Sequence, residues 1–215
     1  MSFPRRDLVD AAAYDQSMSS ALGRVCVFCG SNTGARAAYL AQAQSVGRLL
    51  AAEGIGLVYG GGRVGLMGAL ADAALGAHGT VIGVIPEALV AAEVAHGGLA
   101  DLRVVPSMHE RKKTMADLAD AFVALPGGFG TFDELFEIVT WAQLGFHAKP
   151  IGLLNVDGYF DPLLEMVDHA VTEGFVAADH ARLLYVAQNP AELLARLRAH
   201  RPSPRVRKWR DIDET

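Results

Sequence analysis

The chain lacks several features typical of secreted and membrane proteins. It has two cysteines in 215 residues, too few for a disulfide framework. Glycine, histidine and charged residues interrupt every apolar stretch before it reaches the roughly 18–20 residues that a membrane span needs. The first residues, MSFPRRDLVDAAAYDQ, have no apolar core of the kind found in signal peptides. We therefore predict a cytoplasmic protein with no membrane partner.

The chain also lacks a surplus of positive charge. Its 24 acidic and 19 basic residues give a formal net charge of −5, which argues against a general nucleic-acid-binding protein. A hydrophobic content of 51% with 20% charged residues is typical of a globular protein rather than a disordered one. The length suits one domain.

Short apolar runs alternate with helical patterns along most of the chain. We interpret residues 1–22 as a flexible N-terminal segment, 23–200 as the folded domain and 201–215 as a tail. About seven runs, among them RVCVF, GLVY, TVIGVIP and PIGLLN, are continuously apolar, as in strands that are buried on both faces of a parallel sheet. Alternation of such strands with helices predicts a doubly wound α/β sheet. Ligands of such sheets bind at the carboxyl ends of the strands.

Cys26 and Cys29 form a C-x-x-C pattern within the first predicted strand. Because successive side chains of a strand alternate between its faces, these two thiols point in opposite directions. We interpret them as small buried apolar residues. The chain shows neither an Asp cluster of the kind that binds calcium nor a His and Cys set with ligand spacing, which predicts that no metal is required.

Two strand-to-helix turns are rich in glycine. The first spans Gly60–Gly65 and contains G-x-G-x-x-G, and the second spans Gly127–Thr131. Glycines allow backbone N–H groups to converge on an anion at a helix N-terminus, so a phosphate group is the natural ligand. Either turn could also be only a tight connection, because one G-x-G-x-x-G is weak evidence. Glu87 has the spacing of the acidic residue in dinucleotide-binding folds, but it follows a proline in a loop.

Thr131 and Glu134 permit two interpretations. They have the spacing of a capping box, in which Thr131 is the N-cap of the next helix. Alternatively, Glu134 lies one helical turn past the phosphate loop and faces the cleft, where its carboxylate could reach a sugar.

The segment Met108–Lys113 opens the helix after the fourth predicted strand. A charged cluster of this kind is usually a solvated helix face. At the carboxyl end of a strand, however, the planar fork of Arg111 could bind a phosphate or stabilise charge on a leaving base. We interpret His109 as structural.

The segments MHERK at 108–112 and PGGFGTFDE at 126–134 resemble the M-H-x-R-K and P-G-G-x-G-T-x-x-E motifs of the Lonely Guy (LOG) family. This family comprises cytokinin riboside 5′-monophosphate phosphoribohydrolases, whose bacterial members were formerly described as lysine decarboxylases. The similarity extends from about Arg24 to Leu197 and includes LVYGGGRVGLMG and KPIGLLNVDGY. The resemblance implies a Rossmann-like fold, a homodimer and no cofactor.

The resemblance further implies hydrolysis of the N-glycosidic bond of an N6-modified adenosine 5′-monophosphate, and possible action on AMP itself, to free base and ribose 5-phosphate. Arg111 and Glu134 would be the catalytic pair. The substrate-binding residues implied beside this pair are Met108, Lys112, Gly127, Gly128, Phe129, Gly130, Thr131, Thr140, Gly61 and Ser31. Plant members carry an acidic ligand-contacting residue in the segment before the M-H-x-R-K helix, where this chain has Gly97.

Cleavage of an N-glycosidic bond passes through a cationic, oxocarbenium-like sugar that a nearby carboxylate can stabilise. We assign this role to Glu134. Arg111 would stabilise charge on the departing base or hold the phosphate, and both roles are open. A nucleotide-binding carrier or sensor without turnover is the main alternative function. An NAD(P)-dependent oxidoreductase and a pyridoxal-phosphate-dependent lysine decarboxylase are further alternatives. The decarboxylase would need a Schiff-base lysine, for which Lys112, Lys113 and Lys149 are poor candidates.

Overall fold

The computed structural model describes residues 22–91 and 95–202 of the chain. It contains a single seven-stranded sheet in which every pair of neighbouring strands is parallel. The strands are β1 (Arg24–Phe28), β2 (Gly56–Tyr59), β3 (Val81–Pro86), β4 (Asp101–Val105), β5 (Ala121–Ala124), β6 (Ile151–Leu154) and β7 (Leu184–Ala187). The predicted α/β fold with a parallel sheet is confirmed. The predicted N-terminal segment and C-terminal tail lie almost entirely outside the described residues.

Eight α-helices connect or follow the strands in the described part of the chain. They are α1 (Ala37–Ala52), α2 (Gly65–Gly76), α3 (Glu87–Ala91), α4 (Met108–Leu118), α5 (Phe129–Gln143), α6 (Asp161–Thr172), α7 (Ala178–Ala181) and α8 (Pro190–Arg198). The short helices α3 and α7 were not predicted, because each is too brief to show a helical period. Among the described residues, no helix has both the length and the apolar character needed to cross a membrane.

Helices cover both faces of the sheet. Side chains of α1, α2 and α8 pack on one face, and those of α4, α5 and α6 pack on the other. Strands β2, β3, β5 and β6 are buried at every residue, which explains their continuously apolar sequences. Cys26 and Cys29 are buried and belong to opposite faces, which confirms their interpretation as core residues.

The strand order is β4-β3-β2-β1-β5-β6-β7. The chain builds outward from β1 to β4 and then returns to the other side of β1 with β5. This reversal opens a crevice outside the carboxyl ends of β1 and β5, the usual ligand site of such sheets. The glycine-rich turns follow β2 and β5, so the fold places both of them at this edge.

Candidate active site

Three loops meet at the carboxyl edge of the sheet. The N–H of Gly30, after β1, donates to the carbonyl of Pro126, after β5, at 3.1 Å. The carbonyl of Gly30 accepts from the N–H of Leu66 in α2 at 3.0 Å. Gly65 has φ +61°, and a Cβ at this position would lie 2.2 Å from the backbone of Ser31. Only glycine therefore suits this position, both for its left-handed conformation and for its close contact with the first loop.

Arg111 occupies the centre of this edge. It lies in the first turn of α4, whose N-terminus is capped by the Ser107 side chain. Arg111 is 7% exposed, and its side chain donates from Nε to the carbonyl of Val84 at 3.0 Å. Its Nη1 donates to Oε1 of Glu134 at 2.6 Å, and Nη2 donates to the carbonyl of Gly60 at 3.4 Å. The guanidinium group is therefore held in one orientation by three different segments of the chain.

Glu134 is the partner of this guanidinium group and is also 7% exposed. Burial raises the pKa of the Glu134 carboxyl above its ordinary value, although the Arg111 guanidinium acts in the opposite direction. A carboxylate in such an environment is poorly solvated and interacts strongly with any positive charge that develops beside it. Perturbed, buried and paired titratable groups at the ligand edge of a sheet are typical of catalytic sites.

The loop before Glu134 forms the start of α5. The helix begins at Phe129 with Gly128 as its N-cap, and no side chain caps it. The capping-box interpretation of Thr131 and Glu134 is therefore wrong. Thr131 is a buried helical residue, and its Oγ1 lies so close to Gly127 that a Cβ there would be 2.1 Å away.

Since the first backbone bond of α5 runs from the N–H of Phe132 to the carbonyl of Gly128, the N–H groups of residues 128–131 have no partner within the helix. Their partial positive charge favours an anion at this end of the helix.

The remaining predicted site residues are distributed unevenly around this centre. Gly61 is buried next to Gly60, and Ser31 is exposed in the loop after β1. Met108 and Phe129 are exposed at the first positions of α4 and α5. Thr140 is exposed on α5, about 9 Å along the helix axis from Glu134. In the single chain, Thr140 does not join the Arg111–Glu134 pair.

Lys112 follows Arg111 but points to a different side of α4. Its Nζ lies 3.1 Å from a carboxylate oxygen of Asp133 and 3.2 Å from one of Glu137. Partial burial lowers the pKa of Lys112, but the hydrogen bonds to these carboxylates outweigh it and raise the pKa above its ordinary value. The ion pairs of Lys112 therefore connect α4 to α5 beside the buried pair of Arg111 and Glu134.

Two contributors to this edge were missed in the sequence. The backbone N–H of His96 donates to the carbonyl of Gly61 at 2.9 Å. The ring Nε2 of His96 is hydrogen-bonded to Oδ1 of Asp72 at 3.0 Å. The hydroxyl of Tyr159 donates to the carbonyl of Gly127. Neither residue belongs to a pattern with a general chemical meaning, although Tyr159 lies within the NVDGYF segment that follows β6.

Comparison with known proteins identifies relatives over most of the chain. Residues 67–197 match the family model described as "Possible lysine decarboxylase". The cytokinin riboside 5′-monophosphate phosphoribohydrolase LOG of Oryza sativa subsp. japonica is 50% identical over 183 residues, which cover 85% of this chain and 76% of that protein. The cytokinin riboside 5′-monophosphate phosphoribohydrolase LOG4 of Arabidopsis thaliana is 46% identical, and the match covers 85% of this chain and 85% of that protein.

Solved structures show the same fold at lower sequence identity. The molybdenum cofactor binding protein of Rippkaea orientalis superposes with a TM-score of 0.64 at 23% identity, over 84% of this chain and 98% of that one. The molybdenum cofactor carrier protein of Chlamydomonas reinhardtii gives a TM-score of 0.61 at 22% identity, over 82% and 96%. At this identity the similarity establishes the architecture alone.

Proposed function

Because this chain belongs to the family of the cytokinin riboside 5′-monophosphate phosphoribohydrolases, we propose that it hydrolyses the N-glycosidic bond of N6-modified adenosine 5′-monophosphates. The products are the free base and ribose 5-phosphate, and AMP is a second candidate substrate. The observation that carries this proposal is the buried ion pair of Arg111 and Glu134, one helical turn past a glycine loop whose N–H groups have no partner within α5. This arrangement combines a carboxylate for a cationic sugar with a binding site for its phosphate.

In the proposed mechanism, Glu134 acts on the sugar carbon that loses the base. As the bond between this carbon and the base nitrogen breaks, the electron pair leaves with the base and positive charge develops on the sugar. The poorly solvated carboxylate of Glu134 stabilises this charge and orients a water molecule for attack, as carboxylates do in glycosidases. The water oxygen bonds to the sugar carbon and releases a proton, and the departing base gains one.

Arg111 supports this role by holding Glu134. Its Nε and Nη2 donate to backbone carbonyls of Val84 and Gly60, so the group is anchored independently of Glu134. The guanidinium favours the ionised form of the carboxylate against the effect of burial and fixes its direction, which reduces the reorganisation needed during reaction. We retain Arg111 and Glu134 as the proposed catalytic pair.

The proposed phosphate subsite comprises Gly127, Gly128, Gly130 and Thr131. Backbone N–H groups at the start of α5 would bind the anion. Because the phosphate is remote from the reacting bond, its binding would serve to position the sugar for reaction. We propose that the other predicted binding residues contact the remainder of the nucleotide. They are Met108, Phe129, Lys112, Thr140, Gly61 and Ser31.

The alternative of a pyridoxal-phosphate-dependent lysine decarboxylase, which needs a Schiff-base lysine, has weaker support than the hydrolase. Lys112 is engaged by two carboxylates, and Lys113 is exposed and pairs with Asp117. Lys149 precedes β6, at the edge of the sheet opposite the site, and its Nζ donates to the carbonyl of Ala116 at 2.8 Å. Lys208 lies outside the described residues. These positions do not favour the decarboxylase alternative.

We also propose that the protein is a homodimer that acts in the cytoplasm. None of the residues of α6, Asp161–Thr172, is fully buried, although Leu163 and Leu164 pack on the core. Large apolar side chains are exposed on the same side of the sheet, on or after α5 and α6: Phe129, Phe136, Phe146, Met166 and Phe175. A second copy could cover this surface. The two free cysteines suit a reducing compartment.

The proposal is tested by measuring base release chromatographically from isopentenyladenosine 5′-monophosphate, AMP and isopentenyladenosine. We expect release from the first substrate, with much slower release from the nucleoside. Glu134→Gln keeps the shape of the side chain and should lower turnover by about 10²–10⁴-fold. The matched control is Glu53→Gln, at the C-terminus of α1, which should leave turnover unchanged.

Two results would contradict the proposal. Near-normal turnover in a folded Glu134→Gln variant would remove Glu134 from the mechanism. Binding of AMP without release of base from any substrate would instead favour a nucleotide carrier or sensor.

A further inference from the structure

Tyr159 reaches from the loop after β6 to the proposed phosphate loop after β5. Its hydroxyl donates a hydrogen bond to the carbonyl of Gly127. The preceding carbonyl, that of Pro126, accepts from the N–H of Gly30 at 3.1 Å. Two successive carbonyl groups of the loop are thus bound by donors from two neighbouring segments.

The position of Tyr159 is rigidly defined. Asn155 is buried, and its Oδ1 accepts from the N–H of Phe160 at 2.7 Å. Its Nδ2 donates to Asp161 at 2.7 Å, so one side chain closes the turn that carries Tyr159. The phenol ring packs edge-on against Tyr39, with centroids 5.7 Å apart, and against the fully buried Phe160 at 5.1 Å.

The bond to Gly127 determines the direction of the next N–H group. In a planar trans peptide the C=O and N–H point in opposite directions. With the carbonyl of Gly127 held by Tyr159, the N–H of Gly128 points away from Tyr159. Gly128 is the N-cap of α5, so this N–H is one of the backbone groups at the start of α5 that are proposed to bind phosphate.

A peptide between two glycines has little steric resistance to rotation, because neither residue carries a Cβ. Rotation of the Gly127–Gly128 peptide would turn the carbonyl dipole toward the phosphate and the N–H away from it. We propose that Tyr159 is a positioning residue of the phosphate subsite, which prevents this rotation by binding the carbonyl of Gly127. The inference depends on the proposed function, since it assigns a role within the same subsite.

The test is Tyr159→Phe, which removes only the hydroxyl group. We expect the dissociation constant for ribose 5-phosphate, measured by calorimetry, to rise about three- to tenfold, the usual effect of one lost neutral hydrogen bond. The dissociation constant for adenine should not change. The KM for the monophosphate substrate should rise with a smaller change in kcat. The matched control is Tyr185→Phe, which removes the hydroxyl that contacts His200 at 3.0 Å.

The outcomes separate this inference from the function on which it depends. If the wild-type protein binds ribose 5-phosphate no more tightly than ribose, the proposed phosphate subsite is wrong. If the wild-type protein prefers ribose 5-phosphate and Tyr159→Phe retains that preference in full, the positioning role is wrong. Equal weakening of ribose 5-phosphate and adenine binding, together with a lower melting temperature, would also overturn it, because a general structural role would then explain the loss.

Discussion

Gly60→Ala should greatly lower the activity of the protein by displacing Arg111. A Cβ on Gly60 would lie 2.0 Å from Nη2 of Arg111 and 3.2 Å from Cζ. Gly60 does not have the left-handed backbone conformation that disfavours alanine, so the effect arises from steric contact, chiefly with Arg111, since the next neighbour, Sδ of Met67, lies at 3.2 Å. The methyl group occupies space that the guanidinium fills in the native site.

The required movement can be read from these distances. Ordinary contact begins at about 3.4 Å, so Nη2 must withdraw by about 1.4 Å. The bond from Nη1 to Glu134 is only 2.6 Å long and cannot survive this shift unchanged. A displacement of about 1 Å in a catalytic group can cost about 100-fold in rate, which is the loss in kcat/KM that we expect.

Stability should fall as well, because the displaced guanidinium is buried and loses part of its hydrogen bonding. Overpacking of this kind costs about 1–3 kcal/mol, and each kcal/mol corresponds to roughly 2–4 °C in melting temperature for a chain of this size. Gly76→Ala, at the end of α2 where a Cβ meets nothing within 4 Å, is the matched control and should not destabilise the protein.

The decisive measurement is a double-mutant cycle in urea unfolding. In Arg111→Ala the guanidinium is absent, so Gly60→Ala should add little further destabilisation. We expect a coupling energy of about 1–3 kcal/mol between the two sites. Additive effects, or a Gly60→Ala variant with activity within threefold of wild type, would refute the reasoning.

Two further predictions concern pH and assembly. Because burial raises the pKa of Glu134 and the proposed mechanism needs its carboxylate ionised, kcat/KM should fall on acidification at a higher pH than for an ordinary glutamate. A pH–rate profile without this acid limb would contradict the assignment. Phe175 is 83% exposed, so Phe175→Asp should weaken the proposed homodimer in light scattering. The control, Val104→Asp on the edge strand β4, should not weaken the homodimer. A wild-type protein that is monomeric would contradict the proposed assembly.

The core of the fold could be predicted from the sequence because the signal is local. A strand such as VIGVIP, β3, is buried on both faces and must be apolar at successive positions, while its flanking helices keep a helical period. The order of the strands was not predicted. It depends on which apolar surfaces pack together, and residues distant in the chain decide this.

Short elements and exact helix starts were predicted less well. Thr131 has the residue type and spacing of an N-cap, but the N-cap of α5 is Gly128, three residues earlier. The absence of a Cβ at Gly127 lets Thr131 pack inward beneath the loop. Local spacing alone does not reveal such packing.

The sequence by itself determined the parallel α/β class, the two glycine loops and the motifs that carry Arg111 and Glu134. Only the tertiary structure decided that these two side chains meet at 2.6 Å, that the adjacent Lys112 pairs with other carboxylates, and that Tyr159 binds the carbonyl of Gly127. The physical reason is that composition and periodicity report the burial of each residue in its own element. Contacts between loops depend instead on strand order: β5 lies between β1 and β6, so the loops after these strands supply the donors for its glycine turn.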